Sequence, residues 1–220
     1  MALHLDVDRE HPDDKPLVLA AEVIQAGGVI VYPTETVYGI GANALSPDAI
    51  KKVQAVKKRA DPKPMLVLIP TLEALRGLVI DISVAAQKLI DAFWPGPLTL
   101  VFKASACVPR ELTSGTGTVG ARIPSSALCK RLLELAGCPI TSTSANLTGE
   151  PSPASAAEIQ RTLGTAVDLF LDAGTLPPRE PSTVIDVSSR GARLIRSGAI
   201  PLEQIARVIT LSPNERLGAR

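Results

Sequence analysis

Apolar residues recur along this chain with two different periods, and the alternation between them outlines interleaved helices and strands. Residues 15–26 repeat at helical spacing, with Pro16 suited to the first turn and Gly27-Gly28 to the stop. Residues 29–32, Val-Ile-Val-Tyr, form a short apolar run that reads as a buried strand. Ser46-Pro47 caps a second helix that reaches about Lys58. Further strands are predicted at 65–69, 98–103, 119–123 and 140–143, and further helices at 71–78, 83–93 and 126–136. Ser155, with Glu158 three residues on, has the form of a capping box opening a helix over 155–163. Late strands are predicted at 169–172, 184–187 and 194–196, and a short one at 3–7 within a polar leading segment, residues 1–14. Residues 176–181, with Pro-Pro inside, read as a loop, and the tail over 212–220 as frayed. Interleaving of this kind predicts an α/β sheet covered by helices. No repeat or linker divides the chain, so residues 1–220 are expected to form one domain.

Composition adds limits. Aromatic residues are only 3% of the 220, so the core must come mainly from Val, Ile, Leu and Ala. The net charge of +1 gives no overall attraction to polyanions, and any electrostatic role has to come from local clustering. Three cysteines, Cys107, Cys129 and Cys138, lack metal-ligand spacing and fit reduced thiols in a cytoplasmic protein. The two histidines, His4 and His11, sit in the leading segment, which argues against a His-based triad or metal site. No apolar run approaches the roughly 20 residues that span a bilayer. Five acidic residues in the first 14 look unlike a signal peptide.

Four segments carry candidate chemistry. Gly115-Thr-Gly-Thr-Val-Gly120 matches G-x-G-x-x-G, but a strand and then Pro124 follow it where a dinucleotide fingerprint needs a helix. No P-loop is present. Lys51, Lys52, Lys57, Lys58, Arg59 and Lys63 place six cations within 13 residues, against the single carboxylate of Asp61. That cluster is either a solvated helix face or, at the helix exit, a cation pair for a polyphosphate. Thr141-Ser-Thr-Ser-Ala-Asn146 follows a strand with five hydroxyl or amide side chains in six positions. It reads as a capped turn or as a strand-end loop lining a crevice. Val31-Tyr-Pro-Thr-Glu-Thr-Val-Tyr-Gly39 runs from a strand into polar residues. Thr34 and Thr36 there serve as β-formers, caps or contacts to a small polar ligand.

In this order the segments resemble the YrdC-like family of threonylcarbamoyl-AMP synthases, in its short single-domain form. The resemblance also takes in Phe93-Trp-Pro-Gly-Pro-Leu-Thr99, Gly120-Ala-Arg-Ile-Pro124, Ser142-Thr-Ser-Ala-Asn-Leu-Thr-Gly149, Ser182-Thr-Val-Ile-Asp186 and Ile195-Arg-Ser-Gly198. It implies an open twisted sheet of mixed strand direction, flanked by helices, with a deep positively charged cavity. It implies that Lys57, Arg59, Ser144 and Asn146 form the catalytic set facing the ATP phosphates, with Lys63, Thr118, Ser152 and Arg196 also at the nucleotide. It places Thr34, Arg122, Ser142 and Ser182 at L-threonine, with Arg122 gripping the carboxylate. The implied substrates are L-threonine, bicarbonate and ATP, with Mg²⁺ held through the ATP phosphates and no protein metal ligand. The adenylate product would pass to the machinery that transfers threonylcarbamoyl groups to tRNA in the cytoplasm, and weak tRNA binding is allowed.

The chain departs from the family pattern at Lys58, usually glycine, at Ala60, often proline, and at Leu68, where some longer members carry histidine. Two other readings are open. One is a non-catalytic RNA-binding paralogue using the 51–63 cluster, although no aromatic residues interleave to stack bases. The other is a carbamoyl-transfer domain of the hydrogenase-maturation type, which normally sits in much longer chains.

Overall fold

The computed structural model describes residues 2–58, 64–147, 153–164 and 166–212. Its strands divide between two mixed sheets. The first has the order β1 (Leu3–Asp6), β9 (Leu169–Asp172), β2 (Ile30–Pro33), β3 (Tyr38–Gly41) and β8 (Thr143–Ser144). The second has the order β11 (Arg193–Arg196), β10 (Thr183–Asp186), β5 (Leu98–Lys103), β6 (Thr118–Arg122), β4 (Leu66–Leu68) and β7 (Ile140–Thr141). Parallel and antiparallel neighbours occur in both: β2 is antiparallel to β3 but parallel to β9, and β5 is antiparallel to β6 but parallel to β10.

Strand alternation explains why the central strands read as continuous apolar runs. Ile30 and Tyr32 of β2, with Leu169 and Leu171 of β9, face one apolar cluster, while Val31 and Phe170 face the other. The first cluster is closed by α1 (Asp14–Gln25) and α6 (Ala127–Ala136), which supply Leu17, Ile24, Leu128 and Leu132. The larger cluster joins the two sheets. It takes Ile40 from β3 and Leu100, Ala121 and Ile185 from β5, β6 and β10. Around it pack α2 (Pro47–Val56), α3 (Leu72–Leu78), α4 (Val84–Phe93), α7 (Ala156–Leu163) and α8 (Leu202–Val208). Each fully buried Leu or Ile in these clusters contributes about 1.5–3 kcal/mol of transfer free energy.

Helix starts follow the sequence closely. The side chains of Ser46, Thr71, Ser83, Ser126 and Ser155 each accept the backbone N–H three residues on. Such caps are worth about 1 kcal/mol apiece. The capping box at α7 is displaced by one residue: Glu158 accepts from the backbone of Ala154 rather than Ser155. The glycine-rich segment turns through positive φ at Gly115 and Gly117 and enters β6, so no helix follows it.

Three kinds of feature were not anticipated: one strand, two short helices and a break. β3 was missed because Gly39 and Gly41 lower strand propensity. Gly41 is needed there, since a Cβ would lie 2.6 Å from the Tyr32 ring. The short α5 (Arg110–Thr113) and α8 were not predicted either. The third is the break of the expected strand over 140–143 at Ser142. Residues before the break pair with β4 in the second sheet, and residues after it pair with β3 in the first.

Candidate functional site

The point where the chain changes sheets opens onto a cavity of about 690 Å³ between them. The first sheet supplies the turn at 34–37, β3 and β8; the second supplies strand residues from β4, β5, β6, β10 and β11. Seven residues that the resemblance assigns to the substrates line it, Thr34, Thr118, Arg122, Ser142, Ser144, Ser182 and Arg196, and so does Thr36. Among the described residues that line it there is no cysteine or histidine.

Lys57 and Asn146 are not among the lining residues but are bonded to Ser144, which is. Lys57, at the end of α2, is only 2% exposed. Its ammonium donates to the Ser144 carbonyl at 2.6 Å and to Asn146 Oδ1 at 2.9 Å. Ser144 Oγ donates to the same Asn146 oxygen at 2.5 Å. Residues 87 and 89 positions apart are thereby tied into one cluster under the sheet-switch segment. Arg59, Lys63 and Ser152 lie outside the described residues.

Two guanidinium groups reach the cavity from the second sheet. Arg196 of β11 donates through Nη2 to the carbonyl of Ser182 at 2.7 Å and to its hydroxyl at 3.1 Å. Ser182 Oγ in turn shares a 2.9 Å hydrogen bond with Thr99 Oγ1 of β5. Burial, and then repulsion from Arg122, lower the Arg196 pKa below its ordinary value. Arg122 of β6 is 4% exposed and pairs with Glu35 at 3.2 Å. Gly198 permits this arrangement, because a Cβ there would collide with the Pro181 carbonyl and the Ser182 backbone.

Hydroxyl groups at the other end are partly committed. Thr34 Oγ1 donates to the Val37 carbonyl at 2.7 Å and accepts from the backbone N–H groups of Thr36 and Val37. Its hydroxyl therefore builds the turn, and its free capacity toward a ligand is small. Thr118 shares a hydrogen bond with Thr116 at 2.9 Å. Ser142 is held by its backbone N–H donating to Leu66 at 2.7 Å. Leu68, the departure from histidine, is itself part of the wall.

The sequence reading did not single out Glu35, Thr99 or Asp186. Asp186, on the wall, accepts from the Ser188 backbone and hydroxyl and from Arg193. Burial pushes its carboxyl up, but these hydrogen bonds outweigh burial and hold it below the usual carboxylate range. The signal for Thr99 and Asp186 was their place inside quoted segments; Glu35 sat between the two threonines that attracted attention. Chemically, paired guanidiniums, hydroxyls and a dry flank of Leu68, Val101 and Val184 suit a ligand with anionic groups and an apolar part.

Comparison with known proteins adds independent findings. The Sua5/YciO/YrdC family model, described as "Telomere recombination", matches residues 22–198. The threonylcarbamoyl-AMP synthase of Pyrococcus abyssi is 39% identical over 201 residues, 91% of this chain and 59% of that protein. A putative threonylcarbamoyl-AMP synthase of Mycobacterium tuberculosis is 36% identical over 193 residues, 88% of each chain. Among solved structures, P. abyssi Sua5 complexed with L-threonine matches with a TM-score of 0.90 at 38% identity, over 94% of this chain and 61% of that one. E. coli YciO matches with a TM-score of 0.85 at 28% identity, over 93% of this chain and 100% of that one.

Proposed function

This chain belongs to the Sua5/YciO/YrdC family, and on that premise we propose that it makes L-threonylcarbamoyl-adenylate from L-threonine, bicarbonate and ATP. The observation that carries this reading is convergence. Lys57, Ser144 and Asn146 form one hydrogen-bonded cluster at the cavity that Arg122, Ser182 and Arg196 line.

In this reading the threonine amine forms a C–N bond to bicarbonate with loss of water, or to carbon dioxide with loss of a proton, to give a carbamate. A carbamate oxygen then bonds to the α-phosphorus of ATP, the bond to the β-phosphate oxygen breaks, and pyrophosphate leaves. Such chemistry asks the protein for position and charge rather than for a nucleophile. Arg122 holds the amino-acid carboxylate in a bidentate pair, with Ser142 and Ser182 beside it and Thr34 shaping the wall. Lys57 fixes the Ser144–Asn146 segment against the triphosphate, and Thr118 and Arg196 face the nucleotide. Arg59, Lys63 and Ser152 are assigned to ATP by resemblance alone.

Among the described residues no group of three His, Cys, Asp or Glu side chains could hold a metal ion. In this account magnesium would enter with the nucleotide, where it would neutralise phosphate charge. We read residues 1–220 as one domain, since both apolar clusters take residues from both sheets. The product would serve tRNA modification through a separate transfer activity in the cytoplasm. Among the described residues no helix is long and apolar enough to cross a membrane.

Pyrophosphate release tests the reading. Purified protein with ATP, Mg²⁺ and bicarbonate should release it only when L-threonine is added. Release that ignores threonine would overturn the assignment. So would its absence alongside steeply salt-dependent tRNA binding, which is the behaviour of an RNA-binding paralogue.

A further inference from the structure

Arg122 is held from behind by a residue that the reaction above does not use. Glu35 lies in the turn between Thr34 and Thr36, which both line the cavity, yet Glu35 is not part of the wall. Its carboxylate sits 3.2 Å from Arg122 Nη1, with the two side chains 9% and 5% exposed. Both Glu35 oxygens and Arg122 Nη1 are shut off from solvent and make no hydrogen bond. The Glu35 main chain is pinned as well, because Arg179 donates to its carbonyl at 3.1 Å.

An ion pair this deep is a poor device for stability. Desolvation of two charges offsets most of their attraction, and the orphaned polar atoms add to the cost. Its effect is on the guanidinium. Nη1 is the guanidinium atom that lies against the buried carboxylate, while Arg122 as a whole lines the cavity, so any constraint Glu35 sets on the group is felt by the donors a ligand would meet. Among the described residues Glu35 is the only acidic side chain within ion-pair distance of Arg122.

We propose that Glu35 is a positioning residue for amino-acid binding: it fixes the plane of the Arg122 guanidinium so that its donors meet the substrate carboxylate in a bidentate pair. The inference rests on the reading that Arg122 takes the threonine carboxylate. Two effects of removing the Glu35 charge oppose each other. Loss of orientation breaks the two-point contact and weakens binding. Loss of a nearby anion relieves repulsion of the incoming carboxylate. Orientation wins, because Arg122 lies between the two carboxylates and screens one from the other.

The test is kinetics of the full-length protein carrying Glu35→Gln, which keeps shape and removes charge. KM for L-threonine should rise about tenfold, while kcat and KM for ATP stay within about twofold. Glu35→Asp, which restores the charge at shorter reach, should recover part of the loss. In an Arg122→Lys background, Glu35→Gln should add less than about twofold, because the fork it orients is already gone. A threonine KM that is unchanged or lowered would overturn the proposal and leave the activity standing. Equal losses against threonine and ATP would show a merely structural role. Calorimetry of L-threonine binding to the unaltered protein separates the remaining case: no threonine binding and no threonine-dependent turnover overturns both readings together.

Discussion

At the scale of single residues, the departure at Lys58 acquires a physical meaning. Lys58 follows the last turn of α2 with φ at 46°, in the left-handed region that favours glycine. Its backbone N–H donates to Ala55, as a helix-ending residue does. A glycine would fit that geometry without a Cβ penalty of about 1–2 kcal/mol, although glycine also loses more backbone entropy on folding. Lys58→Gly should therefore raise stability by up to about 1 kcal/mol in urea denaturation, with the linking cluster of Lys57 intact. Asp186 gives a pH-dependent counterpart. Its folded pKa is lower than its unfolded one, so its contribution is present above about pH 4 and fades as pH falls through the folded value. The stability gap between the protein and Asp186→Asn, measured by denaturant titration, should shrink as pH is lowered from about 5 toward 2.

At the scale of elements, helix boundaries were legible because their signals are local. Ser46, Ser83, Ser126 and Ser155 cap where the sequence placed them. The division into two sheets was not legible, because it depends on where Leu66, Ile40 and Leu68 fall relative to a break at Ser142, and all are far away in sequence. The same non-local pairing hid β3, whose glycines only make sense against Tyr32. Two elements can be probed directly. Gly198→Ala at the end of β11 would press a methyl into Pro181 and Ser182, a strain costing about 1–3 kcal/mol. Thermal unfolding should report that loss, and threonine-dependent turnover should fall with it as Ser182 moves. In α6, burial raises the Cys129 thiol to about 12 and seals it from solvent. A thiol reagent at neutral pH should modify exposed Cys107 in the native protein and reach Cys129 only after denaturant is added.

At the scale of the whole molecule, two mixed sheets share their apolar clusters and leave a cavity where the chain passes between them. Most of the candidate site was legible as motifs, because hydroxyls, amides and guanidiniums at strand ends are conspicuous in an apolar chain. Their geometry was not. Lys57 proved to be buried against Ser144 and Asn146 rather than standing on the cavity wall, and Thr34 spends its hydroxyl on its own turn. Glu35 had no sequence signature apart from its neighbours, since an ion pair across 87 positions is visible only in three dimensions. The account turns on what the inter-sheet cavity holds, and the position of L-threonine in a crystal structure of the complex measures that most directly. The carboxylate should lie about 2.7–2.9 Å from the Arg122 guanidinium, beside Ser182. Threonine bound outside the cavity, or inside it with its carboxylate turned away from Arg122, would contradict the account.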